Sequence, residues 1–308
     1  MFKNLSMEGL GISGRQSEVI ELALSFRFRA IDLDMEDFAE QVDLYGLPHA
    51  RRLIDSAHIK IGQFRLPVVW GEWDDEDVIY RRGLERLPRI AELAAELGCT
   101  CCVTKVSPAC DERPYHENFE FHRRRLAEIA EILAVRGIRL GLEFLAPSHL
   151  RKGRAFQFIH SFAALIQLVK SVTNDNVGAA IDLWHLHVAG GQIEEIRQLS
   201  AARIVAVFLS DAPADANLDE LDETARLMPR ESGTIDSAAC LALLSEIGFD
   251  GPVTPRANRD TLQGMRRDAI VQLARDRLDQ IWNDAGLSSG GRTRQVTGNE
   301  MPAASPSS

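Results

Sequence analysis

Six charged side chains stand where short apolar runs come to an end. They are Arg65 after Ile61-Gly62-Gln63-Phe64, Lys105 after Cys101-Cys102-Val103-Thr104, Glu143 within Gly141-Leu142-Glu143-Phe144, Asp182 after Ala179-Ala180-Ile181, Asp211 after Val207-Phe208-Leu209-Ser210, and Arg256 after Val253-Thr254-Pro255. Burying any of these charges alone is costly, so a mutually compensating cluster is the economical arrangement. Such a cluster can move protons, polarise a carbonyl or hold an ion. The same residues can instead form internal ion pairs that only hold the chain together, and that reading stands beside the chemical one for each of them. The densest constellation is Asp182-Leu183-Trp184-His185-Leu186-His187. An Asp at a strand end followed three residues later by His can put both on one side of a cavity. His187 is expected to point elsewhere and pack. His149 and the basic stretch Arg151-Lys152-Gly153-Arg154 follow Glu143, in a position suited either to capturing a phosphate or carboxylate or to being a solvated loop.

These residues need a frame, and the rest of the chain supplies one. Strand-like runs are Leu5–Ile12, Ala30–Leu33, Lys60–Leu66, Thr100–Val106, Arg139–Leu145, Val177–Ile181, Ile204–Leu209 and Pro252–Thr254. Between them lie stretches with apolar residues three or four apart, such as Leu84/Leu87/Ile90/Leu93, Leu126/Ile129/Ile132/Leu133, Phe162/Leu165/Ile166/Val169 and Ile270/Leu273/Ala274/Leu278. Glycines close several of these helices just before the next strand, as in Leu97-Gly98, Arg136-Gly137 and Ile247-Gly248. Eight such alternations predict an α/β fold, a single-domain (β/α)8 barrel. The glycine-rich start Gly9-Leu10-Gly11-Ile12-Ser13-Gly14 lacks the spacing of a dinucleotide fingerprint, which argues against a doubly wound sheet. In a barrel, chemistry sits at the C-terminal mouth, where the six charges fall.

The chain has 308 residues, 45% hydrophobic and 26% charged, enough for one large core. Lys+Arg 35 against Asp+Glu 45 gives a net charge of -10, which disfavours a nucleic-acid partner. Five cysteines without paired spacing suit a reducing, cytoplasmic setting. No window is apolar enough for a membrane span and no export signal is visible. Residues 1–285 are expected to form the barrel and residues 286–308, rich in Ser, Gly, Thr and Pro, a flexible tail.

The ordered set Gly141-Leu142-Glu143, Asn176 to His185 with Ala189-Gly190-Gly191, Phe208-Leu209-Ser210-Asp211, Gly233-Thr234-Ile235-Asp236 and Gly248 to Val253 resembles the xylose-isomerase-like TIM barrels over residues 5–285. That group includes sugar and sugar-phosphate isomerases and epimerases, hydroxypyruvate isomerase, inosose dehydratase and endonuclease IV. The resemblance implies a divalent ion (Mn, Mg or Zn) held by Glu, Asp, His and Glu, with the glutamates as acid and base. Glu143 matches the first Glu, Asp182 the Asp, His185 a substrate-contacting His and Arg226 a substrate-binding Arg. The other two metal positions are occupied by Phe208 and Arg256. Glu143, Asp182 and Arg256 together carry one net negative charge, as three carboxylates and a dication would. The expectation is therefore a degenerate metal site with no cofactor required, in which Arg256 bridges Glu143 and Asp182.

Two functions follow. One is isomerisation, epimerisation or a related lyase or dehydratase step on a small polyhydroxylated carbonyl compound. Glu143 would be the base, and Arg256, Lys105 or His185 would polarise the carbonyl, with Arg65, Asp182, Asp211 and Arg226 binding substrate. The other is a metabolite-binding descendant without turnover. A DNA-repair nuclease is disfavoured, because neither a multi-metal ligand set nor a basic surface is present. The partner is a sugar-like small molecule in either case, with a homo-oligomer possible. Trp70 and Trp73 would stack on a sugar ring or cover the mouth.

Overall fold

The computed structural model describes residues 1–71 and 76–293. Trp73 and residues 294–308 lie outside the described residues. The strands are β1 (Phe2–Leu5), β2 (Ala30–Ile31), β3 (Lys60–Ile61), β4 (Phe64–Arg65), β5 (Cys101–Val106), β6 (Ala109–Cys110), β7 (Arg139–Phe144), β8 (Phe156–Gln157), β9 (Val177–Asp182), β10 (Ile204–Leu209) and β11 (Pro252–Pro255). Nine of them form one parallel sheet in the order β3-β2-β1-β11-β10-β9-β7-β5-β4. β3 and β4 are two halves of a single stave interrupted at Gly62-Gln63. One half pairs with β2 and the other with β5, so the sheet closes as an eight-staved barrel.

The helices that cover it include α1 (Gln16–Ser25), α2 (Met35–Tyr45), α3 (Leu47–Ala57), α4 (Glu76–Glu96), α5 (Tyr115–Ala134), α6 (Phe162–Ser171), α7 (Leu183–Val188), α8 (Ser237–Glu246) and α9 (Arg267–Asp284). Their apolar stripes are those read from the sequence: Leu87, Ile90 and Leu93 on α4, Leu126, Ile129 and Leu133 on α5, and Ile270, Ala274 and Leu278 on α9 are all buried. Gly98 and Gly137 end α4 and α5 with positive φ, where a side chain would be strained. No helix among the described residues is long and apolar enough to cross a membrane. All five cysteines are buried thiols.

The expected first strand was displaced. Leu5–Ile12 mixes apolar residues with glycines, and only its first residue belongs to β1, while Glu8–Leu10 is a 3-10 turn closed by Gly11 at φ 60. The expected run Lys60–Leu66 is the broken stave. The stretch expected to begin a tail at residue 286 is folded as far as it is described. Leu287 is buried, its N–H donates to the Trp282 carbonyl, and it bridges to Thr293.

The barrel interior is narrow and lined by small residues. Val103, Ala180, Ala206 and Phe208 form their own apolar cluster inside the staves. A Cβ on Gly141 would meet Val205 at 2.9 Å and Ala180 at 3.2 Å, so the interior is packed to contact. Phe208 is the one large ring in this cluster. It stands in register with Asp182 on one side and Thr254 on the other, and so forms the floor of the mouth.

Candidate active site at the barrel mouth

Arg256 lies on that floor. Its guanidinium carbon is 3.2 Å from the Phe208 ring centroid, and Nη1 donates to Glu143 Oε1 at 2.7 Å and Asp182 Oδ2 at 2.9 Å. The bridge expected from the charge count is therefore present. A second arginine closes the other side of Asp182. Arg226 Nη1 reaches Oδ1 at 3.0 Å, Oδ2 at 2.8 Å and the Ser210 hydroxyl at 3.1 Å, while the guanidinium stacks over Trp184. Asp182 also caps α7, accepting the Trp184 and His185 backbone N–H groups. Two carboxylates thus face two guanidinium groups, and the cluster is neutral, not negative as the sequence count implied.

The electrostatics follow from that count. Burial alone would raise the Asp182 carboxyl, but the charge of Arg226, with Arg256 adding to it, holds it below the usual range. Glu143 is likewise held down. Burial and Asp182 oppose its ionisation, and Arg256 and Lys105 outweigh them. Lys105 stands beside Glu143 in register on β5 and is exposed at the mouth. His185 is buried, and burial lowers its pKa to about 4, so the ring is neutral. The Ala146 N–H faces Nδ1 at 3.4 Å, while Nε2 lies 3.4 Å from Arg226 Nη2 and 3.7 Å from Glu143 Oε1.

The mouth gathers Lys105, Glu143, Asp182, His185, Arg226 and Arg256, with Arg65 at its rim in register with Val103, while Asp211 lies elsewhere. Arg65 alternates with the buried Phe64 and Leu66, and its exposed side chain pairs with Glu8 at 3.0 Å. Asp211 is fully buried, and its two oxygens accept four backbone N–H groups, from Ala212, Ser232, Gly233 and Ile235. It holds the loop after Arg226 and has no lone pair left for a substrate. Trp70 is buried, with Nε1 bonded to Thr104 Oγ1 at 2.8 Å, and so serves as wall. His187 is partly buried outside the cluster, and His149 pairs with Glu223 at 3.7 Å. In the basic loop Arg151 binds the Ala146 carbonyl and Arg154 binds Asp111, which leaves Lys152 as its uncommitted cation.

Sequence reading missed a second polar group at the mouth. Asp32, just past β2, accepts from Asn4 Nδ2 at 2.6 Å and from Gln63 Nε2 at 3.0 Å. Asn4 also donates to Thr254 Oγ1 at 2.9 Å. The signal was available, because a charged residue two positions into a short apolar run marks where the strand stops.

Glu143, Asp182 and His185 each bring a possible ligand atom, all within 4.8 Å of one another. The two carboxylate oxygens that converge are already bonded to Arg256, a fixed positive charge, and the neighbouring stave offers Phe208, which has no donor atom. As these side chains stand, they do not fit a divalent ion.

A family model described as xylose isomerase-like TIM barrel matches residues 18–281. Inosose isomerase of Bacillus velezensis is 26% identical over 80% of this chain and 84% of its own length. The Bacillus subtilis inosose isomerase is 28% identical, but the match spans about half of each protein, 49% and 51%. Among solved structures, a xylose isomerase domain protein from Alicyclobacillus acidocaldarius superposes with TM-score 0.83 at 24% identity over 92% of this chain and 99% of its own. The IOLI protein, solved with a zinc atom bound, superposes with TM-score 0.76 at 20% identity over 93% and 98%.

Proposed function

Because the chain belongs to the xylose isomerase-like TIM barrel family, we propose that its mouth moves a proton beside the carbonyl of a small polyhydroxylated substrate, as an isomerase or epimerase. We further propose that Arg256 takes the electrostatic place of a metal. The observation that carries this reading is the position of Arg256, bonded to both Glu143 and Asp182 above Phe208. An enediolate formed in a partly desolvated mouth needs a positive charge already in place, and Arg256 and Lys105 supply it.

Glu143 then has a different task from the one the resemblance implies. Its Oε1 is committed to Arg256, and a carboxylate so stabilised is a weak base. We assign it, with Asp182, to fixing the guanidinium. We assign His185, which burial keeps neutral, to contact with a substrate hydroxyl. Arg226 holds Asp182 and stacks on Trp184. We place the protein in a reducing compartment on account of its five free thiols.

The relatives' names point to cyclic polyhydroxy ketones first. The test is turnover of an inosose and of ketohexoses by purified protein, with EDTA or with added Mn²⁺, followed by NMR. Conversion that is unaffected by EDTA supports the proposal. Conversion that requires Mn²⁺ overturns the role of Arg256. The commitment of Glu143 also favours a second reading, a metabolite-binding protein without turnover. Melting-temperature shifts with the same compounds, without conversion, would select it.

A further inference from the structure

The mouth holds a carboxyl group of another kind, and three consecutive staves have been shaped around it. Asp32 follows β2, Asn4 comes from β1, and Gln63 sits at the break between β3 and β4. Asn4 and Gln63 are themselves buried, and each turns an amide N–H onto one oxygen of Asp32. The fold is cut to fit them. A Cβ on Gly62 would lie 2.1 Å from Asn4 Oδ1, so only glycine allows that amide its place. The amide oxygens, Asn4 Oδ1 and Gln63 Oε1, are buried and unpartnered, an arrangement that packing alone does not require. Asp32 itself is only partly buried, so it remains open to the mouth.

Among the described residues no cation bonds to Asp32. The groups that bear on it are the neutral Asn4 from β1 and Ser6 just past its end, Gln63 from the broken stave, the charge of Arg256 from beyond β11, and the Cys99 thiol ahead of β5, which burial keeps protonated.

We infer that Asp32 is the base of the mouth, taking the proton from the carbon next to the carbonyl of the substrate proposed above. This rests on the reading of the mouth as an isomerase-type site. The proton passes to the Asp32 carboxylate and the C–H electron pair becomes the new C=C bond. The carbonyl π pair moves to oxygen, where Arg256 and Lys105 stabilise it. Return of the proton from Asp32 to carbon restores the ketone. Burial raises the Asp32 carboxyl from the usual 3.8 to about 6, against the amides of Asn4 and Gln63 and the Ser6 hydroxyl, which suits a base working near neutral pH.

The experiment is loss of the α-proton signal by NMR in D₂O, using an inosose and dihydroxyacetone as probes. It compares wild type with Asp32→Asn, Asp32→Glu and Glu143→Gln, with melting temperatures recorded for all four. Asn at 32 should fold, since whichever of Asn4 and Gln63 faces the new amide N–H can turn its unpartnered oxygen toward it. Exchange should fall about 100-fold or more in Asp32→Asn and recover partly in Asp32→Glu, with a wild-type rate profile that rises through about pH 6. A folded Asp32→Asn that exchanges within about threefold of wild type overturns the role of Asp32 and leaves the reading of the mouth intact. Wild-type protein that exchanges neither probe overturns both. A ¹³C-carboxyl titration of Asp32 with a midpoint below pH 4.5 would also overturn it.

Discussion

Two carboxylate sites share one barrel mouth and are held by opposite means. Asp182 and Glu143 are almost wholly inaccessible, saturated by two guanidinium groups and kept ionised. Asp32 is held by two neutral amides and keeps its proton until about pH 6. The contrast shows that the partner, more than the burial, decides what a buried carboxyl can do. Permanent cations make it a structural anchor for positive charge, and neutral donors leave it able to take and return a proton.

The comparison breaks hardest if the clamp is turned back into a ligand set. Phe208→His with Arg256→Glu leaves three carboxylates against one guanidinium, and about 5 kcal/mol or more of stability should be lost in urea unfolding without metal. Millimolar Mn²⁺ should restore part of it, and an unchanged melting temperature with Mn²⁺ would show that Arg256 does not stand at the metal position. Next comes Arg226→Met. Asp182 is fully buried and would lose its main partner, so about 3–5 kcal/mol should go. A loss below 1 kcal/mol, roughly a surface pair's worth, would count against the clamp.

Asp32 sharpens the contrast through pH. Its folded pKa lies above its unfolded one, so its contribution is complete below about pH 4 and is lost as pH rises through 6. Glu143 and Asp182 have lowered values, and their contribution is present above the ordinary carboxylate range and lost as pH falls. Replacing Asp32 by Asn should therefore remove a decline on the order of 2 kcal/mol between pH 4 and 7, while leaving the acid limb in place. The smallest effect belongs to Arg65→Ala, an exposed pair with Glu8, for which chemical denaturation should show a change within about 0.5 kcal/mol.

Much of this mouth was legible in the residues. β10 falls where its apolar run lies, and β5, β7 and β9 fall within a residue or two of theirs, because six consecutive strand positions leave little freedom. The Arg256 bridge was legible because charge must balance where water is excluded. What escaped depended on direction and on ends. Arg65 and Lys105 follow similar runs and share a face of the sheet, yet Arg65 is spent on Glu8 at the rim while Lys105 stands in register with Glu143. Asp211 looked like a ligand because a buried Asp announces a need for partners without saying that backbone N–H groups meet it. Asp32 was hidden by carrying its strand two residues too far.

The interruption at Gly62-Gln63 has a mechanical consequence. β5 and β7 pair over six residues, whereas the third stave is tied to its neighbours by two residues on each side. The barrel therefore has a stiff arc through the arginine clamp and a seam beside Asp32. Amide hydrogens of residues 60–66 should exchange with solvent far sooner than those of 139–144, in the manner of a local opening that spares the rest of the fold. Gln63 sits in that seam, so one of the two amides that hold Asp32 is carried on a part of the ring able to give way as a ligand enters.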